Sequence, residues 1–192
     1  MNKLRSSSQA PGAGELFDEM LVIMAQSGDR SAADQLYRRW NRKLLRAARR
    51  YCGNEDAASD LAQECWLAIW KGLSGLRNPS RFRSYAFGVL YRRGADHLRK
   101  VTHERTTLSA LQGTDAQPSS QSHSAAAIAQ AFASLPPDQR LAAHLHFAEG
   151  LTLREIAEAL SIPQGTAKSR LFHARRKLKM ALNPDEPQGD II

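Results

Sequence analysis

Two cysteines in 192 residues are too few for a disulfide framework. Cys52 and Cys65 stand thirteen residues apart in helical pattern, which also excludes a C-x-x-C metal or redox pair and leaves both as core thiols. The six histidines, His97, His103, His123, His144, His146 and His173, never form the i, i+4 pair with a nearby acid that a helical zinc site needs, so no metal is expected. No segment alternates apolar and polar residues as a half-buried strand does. No apolar run approaches the roughly 20 residues that span a bilayer, and the opening MNKLRSSSQAPGAGE lacks the apolar segment of a secretory signal. A cytoplasmic, all-α protein without cofactor or membrane insertion is the expectation.

What the chain does have is helical periodicity and clustered positive charge. Its hydrophobic content of 42% suffices for one moderate core or two small ones. The formal net charge is +8, and the cations are grouped: seven between Arg38 and Arg50, seven between Arg77 and Lys100, six between Lys168 and Lys179. Grouped cations suit a polyanionic partner.

Punctuation divides the chain. A Ser/Pro/Gly-rich tail reaches Gly14, and helices follow near 15 to 27, 30 to 51, 55 to 73 and 79 to 100, forming a first domain over residues 15 to 100. Asp29 and Ser31 suit the start of the second helix, Asn54 that of the third, and Asn78 followed by Pro79 is a cap with proline in the first turn. Residues 101 to 124 are rich in Thr, Ser, Gln, Pro and Gly and read as a linker. As flexible coil it would span roughly 25 to 30 Å, letting two domains sit apart on one partner. The second domain, residues 125 to 182, has a helix near 125 to 134, another opened by Leu135-Pro136-Pro137 and ended by Gly150, and a final helical hairpin. The closing residues 183 to 192 read as a frayed end.

That hairpin, TLREIAEALSIPQGTAKSRLFHARRKLKM, is the most informative stretch. Thr152 with Glu155 and Ser161 with Gln164 both have capping-box spacing and predict two helix starts. Ile156, Leu160, Ile162, Ala167 and Leu171 supply a small core, and Ala157 lies where the helices cross. Ala167, Leu171, Ala174 and Leu178 share one side of the second helix, opposite Gly165, Ser169, Phe172 and Arg176. With Thr166, Lys168 and His173 flanking, that outer side offers donors for phosphates and base edges and an apolar ring for a thymine methyl. A solvated basic helix end is the plainer alternative. The agreement of caps, turn and polarity points to a DNA-reading helix-turn-helix.

Two helices of the first domain have unequal faces. Residues 55 to 73 place Ala58, Leu61, Ala62, Cys65, Trp66, Ile69 and Leu73 on one arc, and Asp56, Asp60, Gln63, Glu64, Leu67 and Trp70 on the other. Acids mixed with large apolar groups suit docking to a basic protein; alternatively Leu67 and Trp70 pack on a neighbouring helix and the acids stay wet. In residues 79 to 100, Phe82, Ala86, Val89 and Leu90 form an inward stripe, while Phe87, Gly88, Tyr91, Arg92 and Arg99 are expected to point outward. With Arg83 and Tyr85 they make a candidate surface for unpaired bases and phosphates, glycine permitting close backbone approach. Any one of Tyr85, Phe87 and Tyr91 can instead fill gaps between helices.

Taken in order, these features resemble the extracytoplasmic-function branch of the sigma-70 family of bacterial transcription initiation factors. NEDAASDLAQECWLAIW is similar to the family's polymerase-binding helix, and LPPDQR with GLTLREIAEALSIPQGTAKSRLFHARRKL to its promoter-reading hairpin. The resemblance implies two small helical domains, regions 2 and 4, and no catalysis. It also implies core RNA polymerase as partner, through the coiled coil of its largest subunit and its flap, promoter DNA both double- and single-stranded, and an anti-sigma factor. By position, Asp60, Gln63, Glu64, Leu67 and Trp70 would meet the coiled coil, Lys168, Ser169, Phe172 and His173 the −35 element, and residues from Phe82 to Arg99 the −10 element. Tyr85, Gly88 and Arg92 depart from the family's common tryptophan, arginine and asparagine, Ser161 from a turn glycine and Ala167 from valine. Outside the resemblance, a dimeric helix-turn-helix regulator and an Mg²⁺-dependent nucleic-acid enzyme built on Asp56, Asp60 and Glu64 are the rival readings.

Overall fold

The computed structural model describes residues 12 to 52, 54 to 109 and 123 to 182. The described residues are helical and contain no strand. The chain divides into two compact units at Gly94. The first unit holds α1 (Ala13–Gln26), α2 (Arg30–Ala48), α3 (Glu55–Leu73), a 3-10 turn (Pro79–Arg81) and the start of α4 (Phe82–Ser109). The second holds the rest of α4, α5 (His123–Ala133), α6 (Pro137–Ala143), α7 (Leu153–Leu160) and α8 (Gln164–Leu182).

The starts of the first unit's helices lie where the polar caps predicted. Asp29 Oδ1 accepts from the backbone N–H of Ser31 at 2.8 Å and of Ala32 at 3.1 Å. Asn54 Oδ1 accepts from Ala57 N–H at 2.7 Å, and Asn78 Oδ1 from Ser80 N–H at 3.1 Å just before α4. Each bond satisfies a donor that the first helical turn leaves without a partner. Burial then fixes the packing: Leu21, Val22, Leu36, Trp40, Leu44, Ile69 and Phe82 form the core, with the Trp40 ring edge-on to Phe82 at 5.2 Å and to Phe87 at 6.0 Å between centroids. At the rate of about 25 cal/mol per Å² of apolar surface, such aromatic burial is what holds so small a bundle together.

In the second unit, Ala131, Leu135, Ala143, Ala174 and Leu178 make a core between α5, α6 and α8, while Ile156 and Ala157 bring α7 onto α8. Arg140 ties the end of α5 to α6, donating to the carbonyls of Ala133 at 2.7 Å and Leu135 at 2.8 Å. The thirteen-residue helix expected from Pro137 to Glu149 instead stays α only to Ala143 and widens into a π turn over His144–Ala148. Side chains brace that widened turn: the His144 ring stacks on Phe132 at 4.6 Å, and His146 Nδ1 lies 2.9 Å from the Leu151 carbonyl.

Two boundaries differ from those set by composition. Helix α4 continues to Ser109, past the expected end at Lys100, because no glycine or proline interrupts the chain between Gly94 and Gly113. The coil estimate therefore does not apply to residues 101 to 109; residues 110 to 122, most of the N-terminal tail and residues 183 to 192 lie outside the described residues. The second difference is in the hairpin. Ser161 does not open α8; it ends α7 in the left-handed conformation, with φ 54° and ψ 44°. Its N–H donates to Glu158 O, and Ile162 N–H reaches back to Ala157 O at 3.0 Å, the bonding of a Schellman turn. The first bond of α8 falls on the Pro163 carbonyl, taken by Ala167 N–H at 3.1 Å. Thr152 behaves as expected, its Oγ1 accepting from Glu155 N–H at 3.3 Å while the Glu155 carboxylate accepts from Thr152 N–H at 2.7 Å.

Candidate functional site

Helix α3 separates its faces as periodicity predicts. Ala58, Leu61, Ala62, Cys65, Trp66, Ile69 and Leu73 are buried. Asp56, Asp60, Gln63 and Glu64 are exposed, and beside them Leu67 is 71% exposed, so it packs on no neighbouring helix. Trp70 is half-buried and stacks on Trp66 at 5.1 Å with the planes 26° apart. Trp66 meets Tyr37 of α2 at 5.0 Å and donates its Nε1–H to Asn41 Oδ1 at 3.1 Å. The half-buried indole thus rests on a buried, oriented one, which holds its orientation in advance of any contact. Glu64 also has a partner inside the unit, Arg93 of α4, whose Nη1 lies 3.9 Å from the carboxylate. Sequence reasoning missed Arg93, though the run Arg92-Arg93 on the adjoining helix was the available signal. Behind this face the Cys65 thiol is pushed up to about 12 by burial, so it is neutral and unreactive.

Helix α4 corrects two expectations. Phe87 and Gly88 point inward and are buried. The reason is Trp40: its indole reaches from α2 into α4 and takes Phe87 together with Phe82, making the buried arc wider than the stripe of Phe82, Ala86, Val89 and Leu90. Tyr85 is half-buried, and its hydroxyl lies 3.4 Å from the carbonyls of both Ala68 and Ile69. Burial raises its pKa, against the smaller opposing effect of the Arg92 guanidinium. Arg83 is half-buried and 3.6 Å from Glu15. The outward set that remains is Tyr91, half-buried, with Arg92 and Arg99 exposed; Arg99 pairs with Asp96 at 2.5 Å.

The hairpin matches its predicted polarity. Ala167, Leu171, Ala174 and Leu178 are buried, and Gly165, Lys168, Ser169, Phe172, His173 and Arg176 are exposed, with Thr166 half-buried. Leu160 and Ile162, expected in the core, are half-buried. Phe172 and His173 form an exposed edge-to-face pair at 5.5 Å, an apolar and a polar ring side by side. Arg170 is drawn off this surface to Asp138 of α6, at 2.6 Å. Ser169 Oγ donates to the Thr166 carbonyl at 3.0 Å. Among the described residues no three His, Cys, Asp or Glu side chains are grouped so as to hold a metal ion, and no helix is long and apolar enough to cross a membrane.

The chain thus joins a helical unit whose α3 exposes acids beside Leu67 to a second unit whose hairpin, with its exposed basic face, has the form of a DNA-binding helix-turn-helix. Comparison with known proteins supplies the family. The Sigma-70 region 2 family matches residues 36 to 104, and the Sigma-70 region 4 family residues 125 to 178. The ECF RNA polymerase sigma factor SigM of Mycobacterium tuberculosis is 30% identical over 172 residues, covering 89% of this chain and 87% of that one. The RNA polymerase sigma-H factor of Pseudomonas aeruginosa is 28% identical over 183 residues, covering 87% of this chain and 94% of the relative. Among solved structures, CnrH in complex with the cytosolic domain of CnrY superposes with a TM-score of 0.66 at 25% identity, over 88% of this chain and 99% of that one. RpoE of Bartonella quintana, solved with the anti-sigma factor NepR, shares the fold with a TM-score of 0.64 at 24% identity, over 80% of this chain and 98% of that one. The chain belongs to the extracytoplasmic-function branch of the sigma-70 family of transcription initiation factors.

Proposed function

We propose that this sigma factor docks on core RNA polymerase through the exposed face of α3, reads the −35 element with α8 and captures the opened −10 strand with the outer side of α4. Support for the docking surface is the pairing of Leu67, 71% exposed, with Asp56, Asp60, Gln63, Glu64 and the braced Trp70. Leu67 packs on no neighbouring helix of the unit, and acids around an exposed apolar side chain suit a basic docking partner such as the coiled coil of the polymerase largest subunit. The flap of the polymerase would receive the second unit, completing a two-point grip.

For the DNA, Lys168 and Arg176 supply phosphate donors, Thr166 and Ser169 hydrogen-bonding hydroxyls, and the Phe172–His173 pair reaches base edges. In α4 the single-strand surface reduces to Tyr91, Arg92 and Arg99, with Arg83 and Tyr85 at its margin, because Phe87 and Gly88 belong to the core. The half-buried Tyr91 ring with guanidinium groups beside it can stack a base and hold its phosphates. Each unit alone makes few contacts, and flipping a base out of the duplex costs about a few kcal/mol. Polymerase fixes the separation of the units and turns two weak events into one. The free chain therefore binds promoters poorly and carries out no covalent step. An anti-sigma factor, such as the NepR solved with RpoE of Bartonella quintana, would hold the chain away from polymerase until a signal arrives.

The test is transcription by core polymerase with and without the chain, start sites being mapped across the genome; promoter-specific starts appear only with it. Asp60→Lys with Glu64→Lys lowers core-polymerase affinity by about tenfold or more with an unchanged unfolding midpoint. Undiminished affinity refutes the docking assignment.

A further inference from the structure

Of the three cation groups in the sequence, one has no part in the surfaces described above: the stretch from Arg38 to Arg50, on α2 and the turn that follows it. It holds seven cations and no acid, and all seven are exposed. At about 100° per residue they occupy an arc of roughly 140°, turned away from the buried line of Trp40, Leu44 and Ala47. Acids from elsewhere answer only part of it. Asp34 meets Arg38 at 2.8 Å, Asp18 meets Arg39 at 2.7 Å, and Glu55 meets Arg49. Arg46 and Arg50 have interactions of their own. Even with an acid set against each of those two, Arg42 and Lys43 remain in excess, since neither makes an ion pair among the described residues, Lys43 lying 4.2 Å over the Trp40 ring. The exposed pair of Arg38 with Asp34 is weak in salt water, so a phosphate can take over its guanidinium.

What this arc lacks selects its partner. The one exposed large apolar residue of α2, Tyr37, lies about 140° round the helix from Arg42, with its ring 5.0 Å from Trp66. A protein interface is built on an apolar centre, and the arc offers none. A strand of unpaired bases needs rings to stack on, and a helix lying in a membrane surface needs an apolar face to bury. The backbone of duplex DNA asks only for cations, and guanidinium groups suit its phosphates two-pronged. Arg38 and Arg42 stand one turn apart, about 6 Å along the axis, with Lys43 beside them. Duplex DNA is moreover a partner that a chain with a Sigma-70 region 4 hairpin meets in any case.

We propose that the outer side of α2 is a sequence-independent seat for the phosphate backbone of duplex DNA, separate from the surfaces of α4 and α8. It rests on none of the assignments made for α3, α4 and α8, and its test uses the free full-length chain. Short labelled duplexes, one of promoter sequence and one scrambled, are titrated by fluorescence anisotropy over a series of salt concentrations. Combining Arg38→Gln, Arg42→Gln and Lys43→Gln is expected to lower affinity for both duplexes alike, by about tenfold at low salt, and to lessen the slope of log affinity against log salt by roughly 0.9 for each cation that met a phosphate. Arg38→Lys with Arg42→Lys keeps the charge and the slope. Lys168→Ala weakens duplex binding through α8 whichever way the α2 variant behaves, so the two surfaces are read apart. Unchanged affinity and slope in the Gln variant overturn the proposal, as does absence of duplex binding by the unaltered chain or a loss on one sequence alone. An equal fall in the Lys variant overturns it in favour of a structural role. A loss on an oligo-dT strand with duplex binding retained gives the arc to single strands, and a loss on phosphatidylglycerol vesicles with duplex binding retained gives it to lipid; either result overturns the proposal.

Discussion

The Trp70 indole lies on the Trp66 indole, 5.1 Å between centroids and 26° between planes, and Trp66 is itself anchored by its bond to Asn41 Oδ1 at 3.1 Å. The two tryptophans, four residues apart on α3, therefore have separate duties that substitution can tell apart. Trp66→Leu removes buried ring volume and leaves the Asn41 amide without its donor, a loss of about 2 to 4 kcal/mol of stability. Trp70→Ala costs less than about 1 kcal/mol, because its ring is only half-buried. On the proposed docking, Trp70→Ala nonetheless weakens core-polymerase binding by about tenfold. Thermal unfolding and equilibrium binding, measured on both variants, check the separation.

Ser161 holds a left-handed conformation, φ 54°, at the turn of the hairpin. A Cβ there is strained, and glycine relieves it at the cost of a more flexible unfolded chain. Ser161→Gly is expected to stabilise the second unit by about 0.5 to 1 kcal/mol net. Calorimetry reads this as a higher unfolding midpoint; a lower one means the turn is not strained.

Cys65 gives a pH dependence with a defined sign. Its thiol is raised from 9.0 to about 12 in the folded chain, chiefly by burial. A group whose folded pKa is raised contributes stability below its unfolded pKa, and that contribution is lost as pH climbs through the interval between the two. Unfolding free energy should hold steady below pH 9 on this account and fall between 9 and about 12. Cys65→Ala removes that part of the slope. Iodoacetamide should leave native Cys65 untouched at pH 8 and alkylate it only as the chain unfolds.

Phe172 and His173 touch edge to face at 5.5 Å and share the exposed side of α8 with Lys168. On the proposed reading, Phe172→Ala with His173→Ala narrows the preference for the correct −35 sequence over single-base variants by about tenfold or more, whereas Lys168→Ala weakens all sequences alike. Holoenzyme binding to matched and altered promoters separates the two effects. An equal loss on every sequence for the double variant counts against base reading.

Where one neighbour decides burial, the sequence was readable. The inward arc of α3 and the stripe Ala167, Leu171, Ala174, Leu178 of α8 follow helical periodicity residue for residue, and Asp29, Asn54, Asn78 and Thr152 cap as their types require. What stayed illegible depended on partners distant in sequence. Phe87 looks outward on α4 alone and is claimed by Trp40. Ser161 has capping-box spacing to Gln164, yet the same residue suits a left-handed helix end, and the back-bonding of Ile162 to Ala157 decides between the two. The Thr- and Ser-containing stretch after Lys100 reads as coil by composition, but an existing helix propagates through it at little cost once nucleated. The apolar residues of α1 are visible in ELFDEMLVIMAQ, although which of them are covered is a property of the bundle.

The bare backbone at Gly94 admits the Tyr51 ring to where a methyl group would lie 2.6 Å away. The joint leading from α2 into the acidic helix is thereby latched to α4 by the absence of an atom. Even the smallest chiral replacement would act as a wedge, prising that joint from its seat and loosening the alignment of α3 without touching any surface the molecule presents. Glycine at this position is thus a matter of carpentry, the room a neighbouring ring needs.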